Sequence, residues 1–149
     1  DYKVAIITSL APNLYNDGQS AEAVTQGFAN VWKPLLAEGT KIVVIKDTPY
    51  WLEDPLTCIG QQQSDFSVCD VPQDVVFQTP DLEYLAAQQI DGVTTVDMTP
   101  YFCSNSKCST VIGGVIVYSD FHHMTSTFSK SLTLPLTKAL EDALSTKLK

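Results

Sequence analysis

Two short runs of aliphatic and β-branched residues, Val4-Ala5-Ile6-Ile7-Thr8 and Lys41-Ile42-Val43-Val44-Ile45-Lys46, bracket a stretch whose apolar residues recur at helical spacing. Runs that are apolar without alternation suit strands covered on both faces, as in a parallel sheet. Parallel neighbours need a crossover, and the intervening stretch supplies one. From Ser20, which reads as an N-cap, Val24, Phe28, Val31, Trp32, Leu35 and Leu36 mark one helical face until Gly39 ends it. Pro34 is expected to kink the helix near its end. Asn13, Asn16, Asp17 and Gly18 mark a loop before it. The opening therefore reads as a β-α-β unit, right-handed by rule.

Beyond Asp47-Thr48-Pro49, residues 50–80 show little periodicity, and a loop of that length is usually functional or stapled. Leu82, Leu85, Ala86 and Gln89 suggest a short helix, closed by Gly92 before a third strand, Val93-Thr94-Thr95-Val96-Asp97. Residues 111–118 read as a fourth strand, weakened or bulged at Gly113-Gly114. The tail, from about residue 125 to 149, carries Phe128, Leu132, Leu136, Leu140 and Leu144 as a helical stripe divided by Pro135. Strands alternating with helices predict an α/β fold, a three-layer sandwich around a mostly parallel sheet. With 149 residues, 44% of them hydrophobic and 17% charged, the chain is expected to form one domain around one core.

Nine basic against 17 acidic residues give a net charge of −8, with no arginine and only scattered lysines, which argues against nucleic acid or an anionic membrane surface as partner. The longest apolar run, residues 111–118, falls far below the ~20 residues needed to cross a bilayer. Cys58/Cys69 and Cys103/Cys108 form two close pairs in polar loops. Of the three connectivities, proximity favours the local one. A zinc site is the competing reading, but C-x10-C and C-x4-C lack the usual knuckle spacing. Two disulfides imply an oxidising, extracytoplasmic compartment. Asp1 runs almost at once into a strand, so the chain reads as part of a larger protein, and no signal peptide is visible.

The chemistry concentrates in Tyr118-Ser119-Asp120-Phe121-His122-His123-Met124-Thr125. A carboxylate three residues before a histidine, on a turn between an apolar run and a helix, can hold the imidazole in one tautomer and stabilise its protonated form. The outer ring nitrogen is then free to take a proton from a hydroxyl. The bland alternative is that Asp120 caps the following helix and both histidines are solvated.

Asp120-x-x-His123-Met124-Thr125 resembles the terminal block of SGNH hydrolases. Together with Val43-Val44-Ile45-Lys46-Asp47-Thr48-Pro49, Val96-Asp97-Met98-Thr99-Pro100-Tyr101-Phe102-Cys103, Cys108, Ile112-Gly113-Gly114-Val115 and Tyr118, it resembles more closely the C-terminal SGNH domain of bacterial membrane-bound acyltransferases of the acyltransferase family 3 type. That resemblance implies an SGNH-like domain of which residues 1–149 are the C-terminal portion. It implies catalytic roles for His123 as general base and Asp120 as its orienting acid, with no cofactor and no metal. The activity implied is O-acyl transfer, or ester hydrolysis, on a cell-envelope glycan or glycolipid. Its partners would be an acylated donor, a carbohydrate or glycolipid acceptor, and a fused or paired membrane acyltransferase domain that tethers it on the outer face of the plasma membrane or in the periplasm. The family's Gly-Asp-Ser block does not occur in this sequence. The nucleophilic serine is therefore expected upstream, the domain incomplete and the fragment alone inactive, and no Gly or Asn is assigned to the oxyanion hole. A non-catalytic carbohydrate-binding or assembly module is the alternative.

Ser9, after the first strand, is the one internal candidate nucleophile, but it lacks the flanking glycine and aspartate of a tight exposed turn. His122 is the alternative base. Asp47 and Asp97 follow strands and read as turn or capping residues before cleft residues. Trp32 reads as core, and Tyr50 and Trp51 as loop anchors ahead of contacts to a sugar or acyl chain.

Overall fold

The computed structural model of the chain describes residues 3–15 and 18–145. In chain order it contains β1 (Val4–Ile7), α1 (Ala21–Ala37), β2 (Lys41–Ile45), α2 (Pro55–Ile59), β3 (Val71–Pro72), α3 (Gln73–Val76), α4 (Leu82–Gln89), β4 (Val93–Val96), β5 (Cys103–Ser104), β6 (Lys107–Cys108), β7 (Val111–Ile112), β8 (Val115–Ile116), α5 (Ser126–Ser131) and α6 (Thr133–Ser145). The expected loop residues Asn16 and Asp17, and the last four residues of the tail, lie outside the described residues. The architecture is mixed α/β, and the chain divides into two compact units.

The first unit comprises Asp1–Asp47, Thr79–Asp97 and Thr137–Lys149. Its sheet has the order β1-β2-β4, parallel throughout, with Ile6 opposite Val43 and Val44 opposite Thr95. β2 is central, and Ile42, Val43 and Val44 are buried. Against one face pack α1 and α4, with Trp32, Ala86 and Ala87 meeting Ile42 and Val44. Phe28 stacks on Trp32 at 5.1 Å between ring centroids. Trp32 is thus the core residue its helical phase predicts, and truncating such a side chain to alanine typically costs about 3 to 5 kcal/mol. Ser20 caps α1 by accepting from the Ala23 amide at 3.1 Å, and Gly39 follows the helix at φ +84°, where a side chain would be strained. Pro34 lies inside the helix, which continues to Ala37.

Two expectations fail here. β1 is not covered on both faces: Val4 is 38% and Ile6 51% exposed, while Ala5 and Ile7 pack on the core. The cause is position, because β1 is the sheet's edge strand and, among the described residues, pairs on one side only. Val31 and Leu85, placed on the apolar helix faces by spacing, are also exposed. The stripe facing the sheet is narrower than the apolar composition of either helix.

The second unit comprises Thr48–Gln78 and Met98–Leu136. Its strands form the short antiparallel ladder β3-β6-β5 and the hairpin β7-β8, beside the short helices α2, α3 and α5. In place of the fourth strand predicted over residues 111–118, residues 111–116 form this hairpin. Gly113 and Gly114 take φ values of +58° and +78°, so the chain reverses there instead of bulging. Two consecutive positive-φ residues are what a type I′ hairpin turn requires, and glycine adopts them at least steric cost. Disulfides Cys58–Cys69 and Cys103–Cys108 close loops with sequence separations of 11 and 5, as proximity predicted. Loop-closure entropy makes each worth about 2 to 3 kcal/mol. Trp51, Phe102, Tyr118 and Phe128 form an aromatic core, with ring centroids 5.6 to 6.2 Å apart.

The tail helix breaks earlier than Pro135. α5 ends at Ser131 and α6 starts at Thr133, which leaves Pro135 in the first turn of α6. Proline has no amide to donate to the Ser131 carbonyl four residues back, so a continuous helix would lose that bond and clash. Phe128 and Leu132 are buried as the stripe predicts, but Leu136, Leu140 and Leu144 are only half-buried. No helix among the described residues is long and apolar enough to cross a membrane.

In the first unit the carboxyl of Glu83 is buried at 2% exposure. Burial pushes its pKa up, the neighbouring charges of Asp81 and Asp47 add to the rise, and the Ser9 hydroxyl opposes it. A carboxyl whose pKa is raised by folding stabilises the fold below its unfolded value and becomes a cost as pH rises through its folded value. Glu83→Gln should therefore raise the thermal midpoint at neutral pH, and the gain should vanish as pH falls below about 4.3, the ordinary glutamate value. Melting curves across that range test this; a gain independent of pH would contradict it.

Candidate active site

The turn at residues 119–123 is built by its flanks. Val117 and Tyr118 are completely buried, and Tyr118 meets Trp51 edge-on at 5.6 Å between centroids. The Thr125 amide donates to the Val117 carbonyl at 2.8 Å, and the Thr125 hydroxyl donates to the Ile116 carbonyl at 2.6 Å. That same hydroxyl caps α5, accepting from the Phe128 amide at 3.2 Å. Inside this frame Tyr118 bridges Met124, and the Ser119 amide donates to the His123 carbonyl at 2.8 Å.

Asp120 fills the turn. One carboxylate oxygen, Oδ1, accepts from the amides of His122 at 2.9 Å and His123 at 2.8 Å. The other, Oδ2, lies 2.7 Å from Nδ1 of His123. A carboxylate can only accept, so Nδ1 carries the proton and Nε2 presents its lone pair outward. The His123 side chain is 67% exposed, which leaves Nε2 accessible. The two backbone amides, the His122 one foremost, and then the His123 ring hold the Asp120 carboxyl well below the usual carboxylate range. The expected pairing of Asp120 with His123 is thus present in the turn, and the capping of the following helix falls to Thr125 instead.

His122 is placed differently. Its Nδ1 is 3.9 Å from Asp120 Oδ1, beyond hydrogen-bond reach, and its ring stacks on Tyr50 at 5.6 Å with 11° between planes. The two histidine ring centroids are 4.0 Å apart. Tyr50 therefore supports the turn, and Trp51, 2% exposed, donates its amide to the Phe121 carbonyl at 2.8 Å. Both act as loop anchors. No sequence signal links Tyr50 or Trp51 to residues seventy positions later, because the link is made by packing.

Donor atoms of Asp120, His122 and His123 lie within 4.8 Å of one another, which is close enough for a divalent cation. Both Asp120 oxygens are already engaged by amides and imidazole, so the turn itself accounts for this clustering. The remaining candidates serve the first unit. Asp47 Oδ2 accepts from the Ala11 amide at 2.8 Å, the Asp47 amide donates to Asp81 at 2.9 Å, and Asp97 pairs with Lys46 at 3.0 Å. Ser9 Oγ is buried beside the Glu83 carboxyl, an environment without an imidazole base.

The family model described as the SGNH domain (fused to AT3 domains) matches residues 3–137. A comparison with curated proteins finds no match. Among solved structures, the periplasmic domain of a lipopolysaccharide acetyltransferase from Salmonella ser. Paratyphi A superposes with a TM-score of 0.65 at 13% identity, over 93% of this chain and 57% of that one. At that identity the likeness is one of fold, and the chain spans little more than half the length of its neighbour.

Ionised Asp120 holds both the turn and the imidazole, so its depressed pKa has a stability consequence. Its contribution is complete above the unfolded aspartate value of about 3.9 and declines as pH falls toward the lower folded value. Asp120→Asn should flatten that part of the acid limb of the stability curve. It should also shift the His123 tautomer, since an amide nitrogen facing Nδ1–H cannot accept. Thermal midpoints against pH and the imidazole 15N shifts of His123 check both effects, and an unchanged tautomer would show that the carboxylate does not orient the ring.

Proposed function

The chain belongs to the family of SGNH domains fused to AT3 domains, and from that premise we propose that it carries the acid/base half of a serine-dependent O-acyl transfer site. The observation that carries this reading is the 2.7 Å contact between Asp120 and Nδ1 of an otherwise exposed His123. In the proposed reaction, a serine Oγ outside these 149 residues attacks the carbonyl of an acyl donor while Nε2 of His123 takes its proton. Collapse of the tetrahedral adduct returns that proton to the leaving group. A carbohydrate hydroxyl then attacks the acyl-serine, gives its proton to Nε2, and departs as the ester while Oγ is reprotonated. With water as acceptor the same steps are hydrolysis. Throughout, Asp120 keeps the ring in the required tautomer and stabilises the imidazolium.

Several features support an extracytoplasmic place for this chemistry. Two disulfides persist in an oxidising compartment. The family's fusion to AT3 domains supports a membrane acyltransferase partner that supplies acyl groups, and the fold neighbour is a periplasmic domain. The glycan or glycolipid acceptor rests on the same family. The absence of Gly-Asp-Ser from this sequence favours one rival, a glycan-binding or assembly module without catalysis.

His123→Ala in the intact parent should lower O-acylation by about 10²- to 10⁴-fold, the usual worth of a general base. The 149-residue chain alone should not turn over p-nitrophenyl acetate beyond background. Near wild-type O-acylation by the variant would remove His123 from the mechanism, and serine-reagent-sensitive turnover by the chain alone would place the nucleophile within it.

A further inference from the structure

Within the second unit a cleft of about 680 Å³ opens beside the acid/base turn, with Phe121 in its wall. From its chemistry we infer that this cleft is a subsite for a neutral sugar, the acceptor in the reaction proposed above, on which the inference rests. Phe121, Leu52 and Val68 line it and are 41%, 54% and 60% exposed. Together they give the cleft an open apolar wall. Two polar groups in the lining are buried and unsatisfied: the Trp51 indole Nε1 and the Thr110 hydroxyl, in residues 2% and 1% exposed. A sugar hydroxyl that reaches either group as the lining opens supplies the missing partner.

The charge of the lining selects the ligand. Glu53, Asp54 and Asp70 contribute carboxylates, and among the described residues no lysine lines the cleft. Asp54 and Asp70 each already accept one hydrogen bond, from the Leu56 amide and the Ser109 hydroxyl, and so are held in place. Carboxylates repel phosphorylated or uronic sugars. An acyl chain would desolvate them and return no hydrogen bond. A neutral pyranose fits both surfaces, with its C–H face on Phe121 and its hydroxyls donating to the carboxylates.

The cleft and the acid/base turn share structure. Phe121 follows Asp120 directly, and its carbonyl is held by the Trp51 amide at 2.8 Å. A sugar lying on Phe121 is therefore held one residue from the Asp120–His123 pair.

The chain has two tryptophans, Trp32 and Trp51, so its indole N–H spectrum reports on the cleft directly. The Trp51 signal is assigned by its loss in Trp51→Phe, and the Trp32 signal serves as the fold reference. Titration with maltotriose and mannotriose should shift the Trp51 indole, whereas glucose 6-phosphate and methyl hexanoate should not. Phe121→Ala should weaken the sugar that binds by about tenfold, and Glu53→Gln by severalfold, with Trp32 unmoved. No shift with either trisaccharide, a shift with methyl hexanoate alone, or unchanged affinity in folded Phe121→Ala would overturn the inference. His123→Ala separates the two readings. Sugar binding with an active His123→Ala parent leaves the cleft and removes the transfer mechanism, whereas no sugar binding with an inactive parent does the reverse.

Discussion

A turn that presents a histidine to solvent has to satisfy its own backbone first, and here one carboxylate does both jobs. Asp120 takes the amides of His122 and His123 on one oxygen and the imidazole of His123 on the other. The charge that closes the turn is therefore the charge that fixes the tautomer. This explains why the pair sits in a loop yet is well defined. The ring cannot leave Asp120 without losing its hydrogen bond, and Asp120 cannot turn away without stranding two amides.

What keeps the turn in place is buried beneath it. Tyr118 enters the aromatic core of the second unit, Trp51 meets it there, and the Trp51 amide reaches the Phe121 carbonyl. A unit with so little regular hydrogen bonding needs other means of limiting its unfolded ensemble, and two disulfides supply them. The first of these, Cys58–Cys69, also lines the cleft beside the turn, so the staple and the proposed sugar subsite belong to the same loop.

The sheet unit follows a different economy. Its central strand is covered by α1 and α4 on one face, while β1 lies at an edge with Ile6 half in solvent. The buried Glu83 beside Ser9, Asp47 and Asp81 shows polar groups clamping the loops that follow β1 and β2. These residues resemble site residues in type but are engaged with one another.

Much of this was legible in the sequence. The β-α-β opening, the Ser20 cap, the Trp32 core position, the local disulfides and the Asp120–His123 spacing are local signals, and local chemistry expresses them directly. Gly113-Gly114 was also a local signal, since paired glycines between apolar dipeptides fit a hairpin turn better than a bulge. What the sequence could not contain were relations between distant segments. Edge position decides that Ile6 is exposed, and packing decides that Tyr50 stacks on His122 and that Trp51 holds Phe121. Residue type and spacing determined which groups can do acid/base chemistry. The D-x-x-H spacing already favoured His123 as the partner of the carboxylate, and the closed turn holds it at 2.7 Å. Only tertiary structure decided what the other histidine does, because packing on Tyr50 holds His122 with its Nδ1 3.9 Å from Asp120.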